Sequence, residues 1–211
     1  MARADLTDAL RGGLLGVAVG EALGLPWVGR APREIKRDRV LEGVGPTGAM
    51  TAAVLGAGGA GDPPLAAALA IGWGEADPRA RRVAALSLGF SAVVVADLAS
   101  AALDGKPLHH LVTDHAEDWT PPFHGVAHDG RAVVDALMAV LYRHDDPSEG
   151  MRAAVRLGGG GVALLTALVG GILGGRRPTA IARVPWLART AVPDDAALAP
   201  AVAALAARRQ V

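Results

Sequence analysis

A chain of 211 residues can bury one sizeable core, and 51% hydrophobic against 20% charged residues excludes a disordered polar segment. Basic and acidic side chains stand at 21 each, so no broad electrostatic attraction to nucleic acid follows. The absence of cysteine excludes disulfides, thiol catalysis and cysteine-ligated zinc. Aromatics are only 3%, and the remaining apolar content is mostly Ala, Leu, Val and Gly, which favours helix over strand.

In chain order, residues 4–24 read as a helix, with Leu6, Leu10, Leu14, Val17 and Leu23 at helical spacing. Gly12, Gly16, Gly20 and Gly24 fall at every fourth position, a row that predicts close approach by another helix. Pro26 stops this helix. Residues 25–46 are polar and basic and read as a surface connection, with a short helical turn near Glu34. A short helix is predicted over 47–56, and Gly56, Gly58, Gly59, Gly61, Pro63 and Pro64 form the strongest break. Helix resumes over 65–74. Asp77-Pro78 then opens one long helix from Arg79 to Leu103, with Asp97 as its only charge after Arg82. Further helices are predicted over 107–118, 130–143, 148–156, Gly160–Gly174 and 194–209. No period-2 pattern argues for a sheet, so the expected architecture is all-α, one multi-helix domain over 1–211.

Two apolar stretches invite comparison with a membrane span. Val162–Leu173 is short of the roughly 20 residues a span needs. Val83–Leu103 carries Asp97, Ser87, Ser91 and Ser100 and has no aromatic belt. Both read as central helices of a globular core, and no membrane partner is expected. The N-terminus lacks a secretory signal pattern, so a cytoplasmic location is expected, and the Ala, Gly and Arg richness suggests a high-GC bacterial genome.

Three segments together resemble the ADP-ribosylglycohydrolase family. Arg11 to Pro26 (RGGLLGVAVGEALGLP) is similar to its N-terminal G-x-L-x-G-x-A-x-G-D-A-L-G-x-P helix, with Glu21 where the family has Asp. Thr47-Gly48-Ala49-Met50-Thr51 resembles its T-D-D-T-x-M-T metal segment. Leu157 to Gly174 resembles its L-G-G-D-T-D-T segment and the helix that follows. The chain is shorter than typical members, with the missing stretch expected around 56–66. An alternative alignment sets Gly45–Met50 on the family's G-N-G-x-x-M-R segment, which deletes the first metal motif instead of substituting it.

The resemblance implies a two-metal site of Mg or Mn that positions ADP-ribose and the attacking water. Hard dications require several carboxylates. Positions 157–175 contain none, and Pro46-Thr47-Gly48 stands where the first motif has its aspartate pair. The expected product is a pseudoenzyme without cofactor, acting as a binding or structural partner. A homo-oligomer or a complex with an intact relative would cover the helix faces that a shortened fold exposes. ADP-ribose or another nucleotide is the candidate ligand. The alternative is an active metal-dependent hydrolase of ADP-ribosyl bonds with rebuilt ligands.

Glu21 and Thr47 are the relic catalytic candidates. Read without function, Glu21 is a helix carboxylate held by a neighbouring Arg or exposed at a helix end. Thr47 by the same reading is the N-cap of the short helix. Gly159, Gly160 and Gly161 could cradle phosphate at the next helix N-terminus, but the run lacks the Lys and Ser/Thr of a P-loop, and a flexible relic loop is the plainer reading. His109, His110, His115, His124 and His128 lie among Asp114, Glu117, Asp118 and Asp129. His110, Asp114 and His115 are the weak metal candidates, with i, i+4 spacing between His110 and Asp114; a solvated polar face is the plainer reading.

Overall fold

The structure is a computed structural model that describes residues 5–36, 40, 45, 47–55, 64–116 and 118–210; the side chains of 113–116 also lie outside the description. Among the described residues all regular structure is helical, as the composition predicts. The helices are α1 (Leu6–Gly24), α2 (Ala49–Val54), α3 (Pro64–Gly74), α4 (Pro78–Leu86), α5 (Phe90–Leu103), α6 (His109–Ala116), α7 (Gly130–Arg143), α8 (Pro147–Leu157), α9 (Val162–Arg176), α10 (Pro178–Ile181) and α11 (Asp195–Arg209). Several starts are set by an aspartate whose carboxylate accepts from an amide of the first turn. Asp77, Asp129, Asp146 and Asp194 do this for α4, α7, α8 and α11, accepting from Ala80, Ala132, Glu149 and Ala197 at 2.7–3.1 Å.

The centre of the molecule is the antiparallel pair α1 and α9. The glycine row of α1 meets a matching row of small residues on α9. A Cβ at Gly12 would lie 2.5 Å from the Gly174 carbonyl oxygen, one at Gly16 would run into the Gly170 carbonyl, and one at Gly20 into the Thr166 carbonyl. The fit is reciprocal, because a Cβ on Gly170 or Gly174 would strike the Gly16 or Gly12 carbonyl. The two backbones therefore touch directly, and Leu10, Leu14, Leu23, Leu165, Leu168 and Ile172 fill the surroundings with almost no exposure. Helices α3, α5, α7, α8 and α11 pack around this pair. Trp73 of α3 is fully buried against Gly13 and Gly171.

The single helix expected over Arg79–Leu103 is instead two. Residues 87–89 break it, with Gly89 at φ 108°, a conformation that only glycine adopts cheaply. Ser87 caps the end of α4 by donating its hydroxyl to the Ala84 carbonyl at 2.7 Å. The turn lets α4 fold back along α5, where Arg81 and Arg82 both bind Asp97, at 3.0 and 2.9 Å. No helix among the described residues is long and apolar enough to cross a membrane. The first segment fails because of this break, and Asp97 inside it serves as a structural anion.

His144 ends α7 half-buried. Burial holds its imidazole below the ordinary histidine value; Glu149 opposes this, and Arg156 and Arg143 reinforce it. The folded state then binds fewer protons here than the unfolded chain does. Stability is accordingly retained above the ordinary histidine pKa and falls as pH drops through that value towards the lowered one. Thermal melts between pH 5 and 7.5 check this: His144→Gln should flatten the acid-side decline relative to the parent chain.

Candidate functional site

The end of α1 carries a buried carboxylate. Glu21, in the last turn of α1, is only 4% exposed, and its partners come from the segment 27–30 residues further on. Its Oε2 accepts from the Gly48 amide at 2.9 Å, the Thr51 amide at 2.9 Å and the Thr51 hydroxyl at 2.6 Å. Its Oε1 accepts from the Met50 amide at 2.8 Å. One more bond, Gly45 N–H to the Ala22 carbonyl at 2.8 Å, fastens the same segment to α1.

This geometry corrects the plainer readings of two candidates. Glu21 is not exposed, and among the described residues backbone amides and one hydroxyl hold it rather than an arginine. The N-cap residue of α2 is Gly48 rather than Thr47, and it has no side chain to cap with. Glu21 supplies the missing cap from another helix, meeting the orphan amides and the positive end of α2 at once. Thr47 stands just outside, half-buried. A Cβ on Gly48 would lie 2.8 Å from Oε1 of Glu21, so the glutamate occupies the space a side chain at 48 would need.

The glycine run before α9 is also committed internally. Gly158 and Gly159 take φ of 60° and 90°. The Gly159 amide donates to the Arg30 carbonyl at 2.7 Å, and its carbonyl accepts from Gly29 at 3.1 Å. Val126 donates to Gly158 at 2.9 Å and accepts from Gly161 at 2.9 Å. The run is therefore a buried junction clamping residues 29–30 and 126, in place of the flexible relic loop. The amides of Gly159 and Gly161 point at carbonyls and are spent; a Cβ on Gly160 would face His128 at 3.4 Å. The three segments do converge around the end of α1, because Gly24 abuts Ala163 at the start of α9 and α2 also touches α9. What meets there is main chain, the Glu21 carboxylate and the Thr51 and Thr166 hydroxyls.

The described histidines of 109–128 do not gather at one place. His109 and His110 sit on α6 with ring centroids 3.9 Å apart. His124 lies edge-on to exposed Phe123, whose ring the Arg33 guanidinium covers at 5.3 Å. The side chains of Asp114 and His115 lie outside the described residues, so the His110, Asp114, His115 arrangement is not on view. Among the described residues no three His, Asp or Glu side chains form a metal-holding group.

A second polar cluster escapes motif reading. Arg209 near the chain end reaches Asp104 at 2.7 Å, the Gly72 carbonyl at 3.1 Å and the Ser100 hydroxyl at 3.3 Å. Burial raises the Asp104 carboxyl, but bonds from Lys106 and Arg209 outweigh it and leave the group below its ordinary value. The available signal was Asp97, Ser100 and Asp104 along one apolar helix, since buried polar groups require partners. No family model, curated protein or solved structure matches the chain.

Proposed function

We propose that the chain is a non-catalytic relative of the ADP-ribosylglycohydrolases, working inside the cell as a binding or structural partner. One observation carries this reading: the carboxylate at the centre of the resembling motifs is saturated by its own chain. A carboxylate offers about four lone-pair sites, and four donors fill those of Glu21. Binding a dication or abstracting a proton there would require breaking these bonds inside a buried site. The exchange is sterically coupled as well, since the longer Glu at 21 accompanies the loss of any side chain at 48. The partner role draws support from the surface: Val83, Leu86 and Phe90 lie close together in sequence at the α4–α5 corner and are 62–79% exposed.

Calorimetry with ADP-ribose, with and without Mg²⁺, together with metal analysis of purified protein, tests the proposal. The expected results are no metal-dependent heat, no stoichiometric metal and no release of ADP-ribose from an ADP-ribosylated arginine substrate. Bound metal that is lost in a Glu21→Ala variant would restore the hydrolase reading.

A further inference from the structure

A groove of about 400 Å³ lies between α4, α5, α6 and α7. Its floor follows one face of α5, where Val94, Leu98 and Ala101 recur at helical spacing, and Phe90 stands one turn ahead of Val94 on that face. Leu111 of α6 and Met138 of α7 form the opposite side. Leu98, Ala101 and Met138 are buried, so the apolar surface open to solvent is Leu111, half-buried Val94 and, at the start of α5, Phe90, which is 79% exposed. From Phe90 to Ala101 a helix advances about 16 Å, which is three turns.

The charged lining is one-sided. Among the described side chains, Arg81, Arg82 and Lys106 line the groove with one carboxylate, Asp97. Arg81 is buried and bound to Asp97 and to the Glu75 and Ala76 carbonyls. Arg82 keeps 67% and Lys106 62% of its side chain exposed. The Asp104 that Lys106 contacts is already held by buried Arg209, so the lysine charge still faces outward.

We infer that this groove docks an acidic amphipathic helix of about three turns from a partner protein. Apolar residues at i, i+4 and i+7 of that helix would cover Phe90, Val94 and Leu111, and its carboxylates would meet Arg82 and Lys106. The inference rests on the partner reading above, and the nucleotide and metal measurements test that reading separately.

The probe is a fluorescein-labelled synthetic helix of about 14 residues, with leucine at the apolar positions and glutamate elsewhere. Its twin has lysine for every glutamate. Anisotropy titrations of the full chain should show binding of the glutamate peptide and at least about tenfold weaker binding of the lysine twin, a difference of about 1.4 kcal/mol. The double variant Arg82→Gln, Lys106→Gln should lose about tenfold for the glutamate peptide. Arg183→Glu, at an exposed site beyond α10, should bind like the parent, and circular dichroism checks that all variants fold. Equal binding of both peptides, no binding of either, or full affinity in the double variant overturns the inference. Sedimentation adds one more outcome: a dimer of the chain alone that Phe90→Ser dissolves would make a second copy the occupant and also overturn it.

Discussion

Replacing Gly16 by alanine should lower unfolding stability by about 3 kcal/mol, although alanine is the better helix former by about 1 kcal/mol. The added methyl would enter the Gly170 carbonyl, which is backbone on a helix locked by its own bonds. Neither a rotamer change nor a flexible neighbour can relieve that contact, so α1 and α9 must separate and loosen the packing around both. Gly130→Ala, at the start of α7, provides the comparison. A Cβ there meets only Ser91, at an ordinary 3.6 Å, and stability should hold or rise slightly. Urea unfolding followed by circular dichroism measures both. A Gly16→Ala protein as stable as its parent would mean that α1 and α9 are not in backbone contact.

Glu21→Ala should cost about 3 kcal/mol, because it leaves three amides and one hydroxyl buried without an acceptor, each worth about 1–3 kcal/mol. The sum of those penalties is an upper bound, since the segment 45–55 can release from α1 before the whole fold does. Thr51→Val removes one donor and leaves Glu21 with three, so about 1 kcal/mol is expected. Glu21→Gln should fall between the two, as one of its terminal atoms becomes a donor facing other donors. Urea midpoints order the three variants. Hydrogen exchange at Met50 and Thr51 should accelerate most in Glu21→Ala. A Glu21→Ala protein within about 0.5 kcal/mol of the parent would contradict the structural role of the carboxylate.

Close approach of a second helix to α1 was legible in the sequence because its cause is periodic, four glycines at intervals of four on one helix, while α9 as the partner was not. Helix starts at Asp77 and Pro147 were legible through cap and proline chemistry, which is local. The break at 87–89 was not, because apolar content runs unbroken across it and Gly89 matters only through its φ. The short α10 and the helical turn at Leu187–Arg189 were missed for the opposite reason, being too brief to show a period. The role of Glu21 was hidden because its partners are mainly amides, which every residue but proline possesses and no motif records. Gly48 acts through a side chain it does not have. Asp97 showed itself as a charge in an apolar helix, but its two arginines became its partners only once α4 folded back.

The central claim is that the Glu21 carboxylate serves its own chain and holds no metal. Amide resonances of Gly48, Met50 and Thr51 report on it directly, since each donates to that carboxylate. Titrating Mn²⁺ into isotopically labelled protein should leave these three signals as sharp as those of the α1–α9 core. Selective broadening of the three at low Mn²⁺, reversed by excess Mg²⁺, would contradict the account.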